Sequence, residues 1–413
     1  MTGARVIYIV RRVRRGCSAL GGGILRGVGG VGRFLLLLLG VVLLPAGCER
    51  QPILHLCDHG DPDLELRWVN LDLDVVWDYS ITSNWRDEWL YGWDKQDSII
   101  FGGPIGYREP TEFELRRYYK GDDSLALHTQ VQEHYLTEPR LRTSYNVGYY
   151  DVLAWNDVYT PDGVRSVLFD ESTSLDYVTA TTNTTMESSP YKSYNVKTRS
   201  SHTYYQPEDL FSGYMQNMYI SNNPADYDYY DEATHTYYKK VDMSLMPVTY
   251  IYLTQLILHH NRGRVTATDG NSRFSGMAKS TTLNTGVNGV EDIVVSYYNR
   301  MKTNIKAKDN TLVDIIGGRF STFGIPEMNP MRAAAVPGNT KVRNYMDYHL
   351  QFSNGMDSTL VFDVTDQVRK KYRGGVITVE LDMDTVKIPS THGGSGFDAV
   401  VEDPDEVTKE FEM

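Results

Sequence analysis

The stretch VNLDLDVVWDYSI, residues 69–81, decides the fold class. Val69, Leu71, Leu73, Val75, Trp77, Tyr79 and Ile81 alternate with Asn70, Asp72, Asp74, Val76, Asp78 and Ser80. Strict period two with carboxylates on the other face describes a strand with one side in a core and one in water. Leu64, Leu66 and Trp68 alternate in the opposite phase. That phase change predicts a bulge or break near Trp68–Val69.

Outward from this strand the same grammar recurs. Phe113–Tyr119, Leu125–Gln132, Tyr145–Leu153, Ser166–Asp170 and Tyr191–Thr198 read as strands. Val248–His259 is apolar on both faces, as a central strand is. Gly276–Thr282, Asp292–Tyr298, Thr311–Ile316, Tyr348–Phe352, Thr359–Val364 and 377–383 complete a second series. Helix is expected only at Pro207–Phe211 and Asp363–Tyr372, where Asp363 or Thr365 offers a cap. Short strands divided by turn residues argue for an all-β chain built of sandwiches. The two series divide near Ser200–Gln206, which predicts one domain over 63–203 and another over 204–413.

The first 47 residues read as a signal peptide. Arginines precede FLLLLLGVVLL, an eleven-residue apolar run at 34–44, followed by Ala46, Gly47 and Cys48. The run falls short of the roughly 20 residues of a membrane-spanning helix and suits a secretory signal. A cysteine after Ala-Gly is the mark of a bacterial lipoprotein, acylated on Cys48 and held by more than one chain. Pro45 departs from that pattern, a start at Val28 or Val31 would shorten the leader, and an uncleaved anchor helix is the alternative. The expected mature form is a body tethered by 48–62 to the outer-membrane lipid, facing outward from the cell surface.

Loss of the seven arginines within 1–47, which holds no acids, takes the formal charge from −12 to −19. Such an acidic body argues against nucleic acid as a partner. Beyond the leader the only cysteines are Cys48 and Cys57, so stability is expected from packing and not from disulfides.

A set of short motifs, in order, resembles the fimbrillin-like lipoproteins of the Bacteroidia, which include type V pilus subunits and anchors. The motifs are Gly47-Cys48-Glu49-Arg50, the acidic strand ending at Val76-Trp77-Asp78, Trp155-Asn156-Asp157, and Gln206-Pro207-Glu208-Asp209-Leu210-Phe211. Phe274-Ser275-Gly276-Met277-Ala278, Val361-Phe362-Asp363-Val364-Thr365 and the run from Ile388-Pro389 to Phe397-Asp398 follow. The resemblance implies two tandem transthyretin-like Greek-key β-sandwich domains, palmitate-type lipidation, and a fimbrial subunit or anchor with other pilus subunits as partners. It also implies removal of the first strand by an arginine-specific protease and its replacement by a neighbour's terminal strand. Arg67 and Arg86 flank the acidic strand as candidate processing sites, and EVTKEFEM at 406–413 is the candidate donor. Strand addition of this kind draws affinity from main-chain pairing and register from alternate side chains.

The rival function is glycan binding by a tyrosine-rich region, with Tyr227, Tyr229, Tyr230 and Tyr237 as candidate ligand-binding residues and a host or glycan ligand as partner. Tyrosine at this density also suits sheet packing. His55, Cys57 and His59 carry zinc-type donors but sit in the tether, and Asp226, Asp228, Asp231 and Glu232 lack the glycine of a calcium loop, so neither a metal nor another cofactor is expected. GGSGF at 393–397 is not a nucleophile elbow. No spacing singles out an acid–base pair, and the chain is read as non-enzymatic.

Overall fold

The computed structural model describes residues 66–76, 85–92, 101, 105–157, 165–170, 178–183, 203–330, 341–388 and 400–401. The strands are β1 (Leu66–Val75), β2 (Phe113–Gly121), β3 (Gln130–Leu136), β4 (Arg140–Ser144), β5 (Gly148–Asn156), β6 (Val167–Asp170) and β7 (Thr179–Thr182). Next are β8 (Thr203–Tyr204), β9 (Phe211–Ile220), β10 (Tyr229–Asp231), β11 (Thr236–Pro247), β12 (Tyr250–His259) and β13 (Val265–Ala278). The last are β14 (Ser280–Thr282), β15 (Asp292–Lys306), β16 (Leu312–Thr322), β17 (Tyr345–Phe352), β18 (Asp357–Asp363), β19 (Gly375–Asp382) and β20 (Val400–Val401). The all-β expectation holds, and the strands curl into two sandwiches.

In the first, one layer runs β10-β11-β1-β4 and the other β3-β2-β5-β9. They join where Met246 and Pro247 of β11 pair with Ser212 and Phe211 of β9. Val69, Leu71, Leu73, Leu141, Met243 and Leu245 on one inner face meet Phe113, Leu115, Val152, Ala154, Phe211 and Ile220 on the other. The period-two pattern of 69–75 therefore does what it predicts.

In the second sandwich, β19, β12 and β16 form one layer and β13, β17, β18 and β20 the other. The long β15 belongs to both: its first half pairs with β13 and its second with β16. Tyr252, Leu256, Phe320 and Val379 pack against Phe274, Val295, Tyr348 and Leu350 between the layers. The other face of β12 is buried too, because Ile251, Leu253 and Ile257 lie under Trp85, Trp89, Tyr91 and Phe101. That cover is why 250–259 reads as apolar on both sides. A small sheet, β14-β7-β6, covers Leu153 and Trp155 on the outer face of β5.

Four expectations are corrected. β1 runs unbroken from Leu66 to Val75 with no register shift against either neighbour, so the phase change at Trp68 marks no bulge. Trp68 lies on the outer face, level with Tyr238 of β11. The second strand expected after Phe113 starts at Gln130 and not Leu125: Leu125 and Leu127 are each 88% exposed in a loop. Pro207–Phe211 is extended and not helical, because Leu210 and Phe211 point into two different cores. The strand series also do not part near Ser200–Gln206: β9, β10 and β11 stay with the first sandwich, and the chain crosses at Val248–Thr249. Inward-facing Phe211, Ile220, Met243 and Leu245 are needed to close the first core. The helix expected at the end of the second series forms over Thr365–Lys370, with Asp363 Oδ1 accepting from Thr365 N at 3.0 Å. The segments 77–81 and Tyr191–Thr198 lie outside the described residues.

Candidate interaction site: the strand β1 and its groove

β1 lies between two partners, parallel to β11 and antiparallel to β4. Its inner face is fully buried, with Val69 and Leu71 at 0% exposure and Leu73 at 5%. Burying each such side chain is worth about 1.5–3 kcal/mol. Leu71 sits level with Val241 on one side and Leu141 on the other, so the strand fills an apolar slot from both flanks.

The outer face is polar and charge-matched. Asn70 Oδ1 accepts from Arg142 Nε at 2.9 Å, and Asp72 Oδ1 accepts from Arg140 Nε at 2.5 Å. Lys240 Nζ lies 3.5 Å from Asp72 and 3.0 Å from Asp242. The Arg140 hydrogen bond holds the Asp72 carboxyl below the usual carboxylate range, and Lys240 adds to the effect. Asp72, at the middle of the strand, thus faces basic side chains supplied by both neighbours, Arg140 of β4 and Lys240 of β11. A strand suited to this slot alternates apolar and acidic residues.

The two candidate processing arginines stand in different settings. Arg67 is the second residue of β1, and its guanidinium donates to Ser221 O at 3.2 Å and Asn222 Oδ1 at 2.7 Å. A cut there leaves nearly all of β1 on the body. Arg86 is exposed on a helical turn at 85–88, between buried Trp85 and Trp89. A cut after Arg86 leaves β1 on the excised segment. Cys48, the His55–His59 cluster, 393–397 and 406–413 lie outside the described residues.

The four candidate tyrosines are not brought together as one platform. Tyr229 stacks on Tyr238 at 4.5 Å on one face of the β10–β11 hairpin. Tyr227 and Tyr230 flank Tyr237 on the opposite face, at 5.3 and 4.4 Å. Tyr227 Oη also donates to Ser221 O at 2.7 Å, beside Arg67, and burial raises its phenol. The acids of that loop tie turns: Asp228 accepts from Lys240 N, and Asp231 accepts from Ala233 N and Thr234 Oγ1. They do not converge.

The other motif residues hold the crossing between the sandwiches. Asn156 Nδ2 donates to Asp209 O at 2.8 Å, and Asn156 Oδ1 accepts from Phe211 N at 2.6 Å. Asp209 further accepts from Arg108 N at 2.8 Å, with buried Arg319 at 3.7 Å. Ser321 Oγ reaches Pro207 O at 2.5 Å, and Leu210 N reaches Thr249 Oγ1 at 2.9 Å. In the second sandwich Asn344 Nδ2 donates to Gly276 O at 2.9 Å. The described residues of these motifs are structural pins.

Among the described residues, no helix is long and apolar enough to cross a membrane. No family model matches the chain, and no curated protein does. Solved structures similar to it include a candidate adhesin from Bacteroides ovatus, 14% identical, covering 81% of this chain and 98% of its own, with a TM-score of 0.46. The fimbrial anchor protein Mfa2 from Porphyromonas gingivalis is 12% identical, covers 77% and 90%, and has a TM-score of 0.35. A fimbrial assembly protein from Parabacteroides distasonis is 9% identical, covers 76% and 90%, and has a TM-score of 0.30. The structural neighbours are thus adhesin-type and fimbrial proteins, at low sequence identity.

Proposed function

We propose that this chain is a surface-exposed fimbrial subunit or anchor, lipidated at Cys48, in which β1 is an exchangeable strand. The observation that carries the reading is the slot of β1. It is one strand wide, apolar inside, basic outside, and filled from the N-terminal side of an exposed arginine. Cleavage after Arg86 would leave β1 held by non-covalent contacts alone, free to be displaced by a strand of the same pattern. The segment 406–413 has such a pattern: Val407, Phe411 and Met413 alternate with Glu406, Glu410 and Glu412, with Lys409 the exception. Main-chain pairing to both β11 and β4 would then hold a neighbouring subunit.

The test is controlled trypsin digestion of the purified mature chain. The trimmed species should begin at Asp87 and form oligomers that vanish when 406–413 is deleted. Arg86→Gln should remain uncut at that bond and monomeric. A trimmed protein that loses 66–76 yet stays monomeric at high concentration rules the reading out.

A further inference from the structure

The outer face of the β2-β5-β9 layer holds a buried cluster. Asp151 of β5 is 3% exposed, and Lys120 of β2 is 7% exposed. Lys120 Nζ lies 2.8 Å from Asn217 Oδ1 of β9 and 3.5 Å from Asp151 Oδ2. Asp151 Oδ1 accepts the Asn217 backbone N–H at 2.8 Å, and Asp151 Oδ2 lies 3.0 Å from His128 Nε2.

The backbone is bent twice to make this meeting. The register of β2 against β5 shifts between Tyr119 and Gly121, at Lys120. The register of β5 against β9 shifts between Tyr150 and Val152, at Asp151, and Asn217 takes a left-handed φ of 57°. Bulges re-aim side chains and collect beside reactive sites. Here two of them, on either side of one carboxylate, turn an amine and a primary amide toward each other. A salt bridge alone needs no amide in that position.

We propose that Lys120 and Asn217 become joined by an intramolecular amide bond, with Asp151 as the proton carrier. Asp151 takes a proton from the Lys120 ammonium, which frees the lone pair on Nζ. Nζ attacks Asn217 Cγ, and the carbonyl electron pair moves onto Oδ1. Protonated Asp151 delivers its proton to Nδ2, the pair on Oδ1 re-forms the carbonyl, and the Cγ–Nδ2 bond breaks. Nζ gives up two protons in all, Nδ2 receives both and leaves as ammonium, and Asp151 ends as it began. No oxidant, metal or other reagent enters. The fold supplies what such a step needs, two reactants and a base held at contact distance away from bulk water. The bond would tie β2 to β9 across β5, strands whose reacting residues lie 97 apart in sequence. This reading is independent of the fimbrial one, because the link is internal and needs no assembly.

The experiment is peptide mapping of the purified full chain, denatured and digested with trypsin. The expected product is a branched peptide in which 118–140, uncut at Lys120, is joined to 200–239 with the loss of one ammonia. Lys120→Arg should release the two peptides as separate species. Asp151→Asn, which keeps the size of the side chain, should fold and also release them. Recovery from the wild-type protein of a free 118–120 tripeptide and an unmodified 200–239 peptide overturns the proposal. So does a branched product that persists in either variant.

Discussion

Leu71 sets the sharpest test of the sheet that β1 completes. It is 0% exposed and level with Leu141 and Val241 on the two flanking strands. Truncation to alanine removes buried methyl groups and leaves a cavity that paired strands on both sides cannot collapse into. Such a change costs about 2–5 kcal/mol, a large part of the about 5–15 kcal/mol typical of a folded protein. The assay is urea unfolding of the full chain followed by tryptophan fluorescence, since buried Trp85, Trp89 and Trp155 report on different parts of the body. The Leu71→Ala midpoint should fall well below wild type, while Leu125→Ala, at an 88% exposed residue, should change stability by no more than about 0.5 kcal/mol. If β1 is exchangeable, Leu71→Ala should also speed loss of 66–76 after cleavage at Arg86. A Leu71→Ala protein as stable as the Leu125→Ala control would mean that β1 is not a member of the core and fills no groove.

Two further outcomes follow from local chemistry. His134 is half-buried and accepts a hydrogen bond from Arg117 Nε at 3.0 Å, so it must stay neutral; burial and that neighbouring cation push it down from 6.5 to about 4. The unfolded chain therefore binds this proton first as pH falls: the stabilisation is complete above about 6.5 and is lost toward pH 4, by on the order of 1–3 kcal/mol. His134→Asn should flatten that part of a stability-against-pH curve, and an unchanged slope between pH 6.5 and 4 would count against the assignment. At Gly276, φ is +80° and a Cβ would lie 2.3 Å from Arg343 O, so Gly276→Ala should destabilise by at least about 1–3 kcal/mol. Soluble yield and melting temperature equal to wild type would contradict it.

The legible part of this fold was the part where one face is wet and the other dry. The runs 69–75 and 377–382 alternate because each faces a core on one side only, and 250–259 loses alternation because tryptophans cover its second face. β11 and β4 escaped detection for opposite reasons. TYYKKVDMSLMP mixes aromatics and charges on both faces, since its first half reaches past the core while its second half closes it. RLRTS is short and offers only Leu141 to the interior. β3 carries little strand signal because it lies at the edge of its sheet and is mostly polar, whereas the apolar Leu125 and Leu127 before it belong to an exposed loop. The candidate tyrosines lie close in sequence, but the two-residue periodicity of the β10–β11 hairpin puts Tyr229 on the face opposite Tyr230 and Tyr237. Lys120, Asp151 and Asn217 carried no sequence signal at all. They meet only because two bulges on either side of β5 re-aim them.

β15 has a mechanical consequence. Its fifteen residues are hydrogen-bonded to one layer of the second sandwich and then to the other. Two stacked sheets held by side chains alone can glide past each other under load, as cards do. A thread sewn through both forbids that glide, because any slip must tear the same strand out of one ladder or the other. Pulled along its length, this module would be expected to yield all at once at a high force and not to creep.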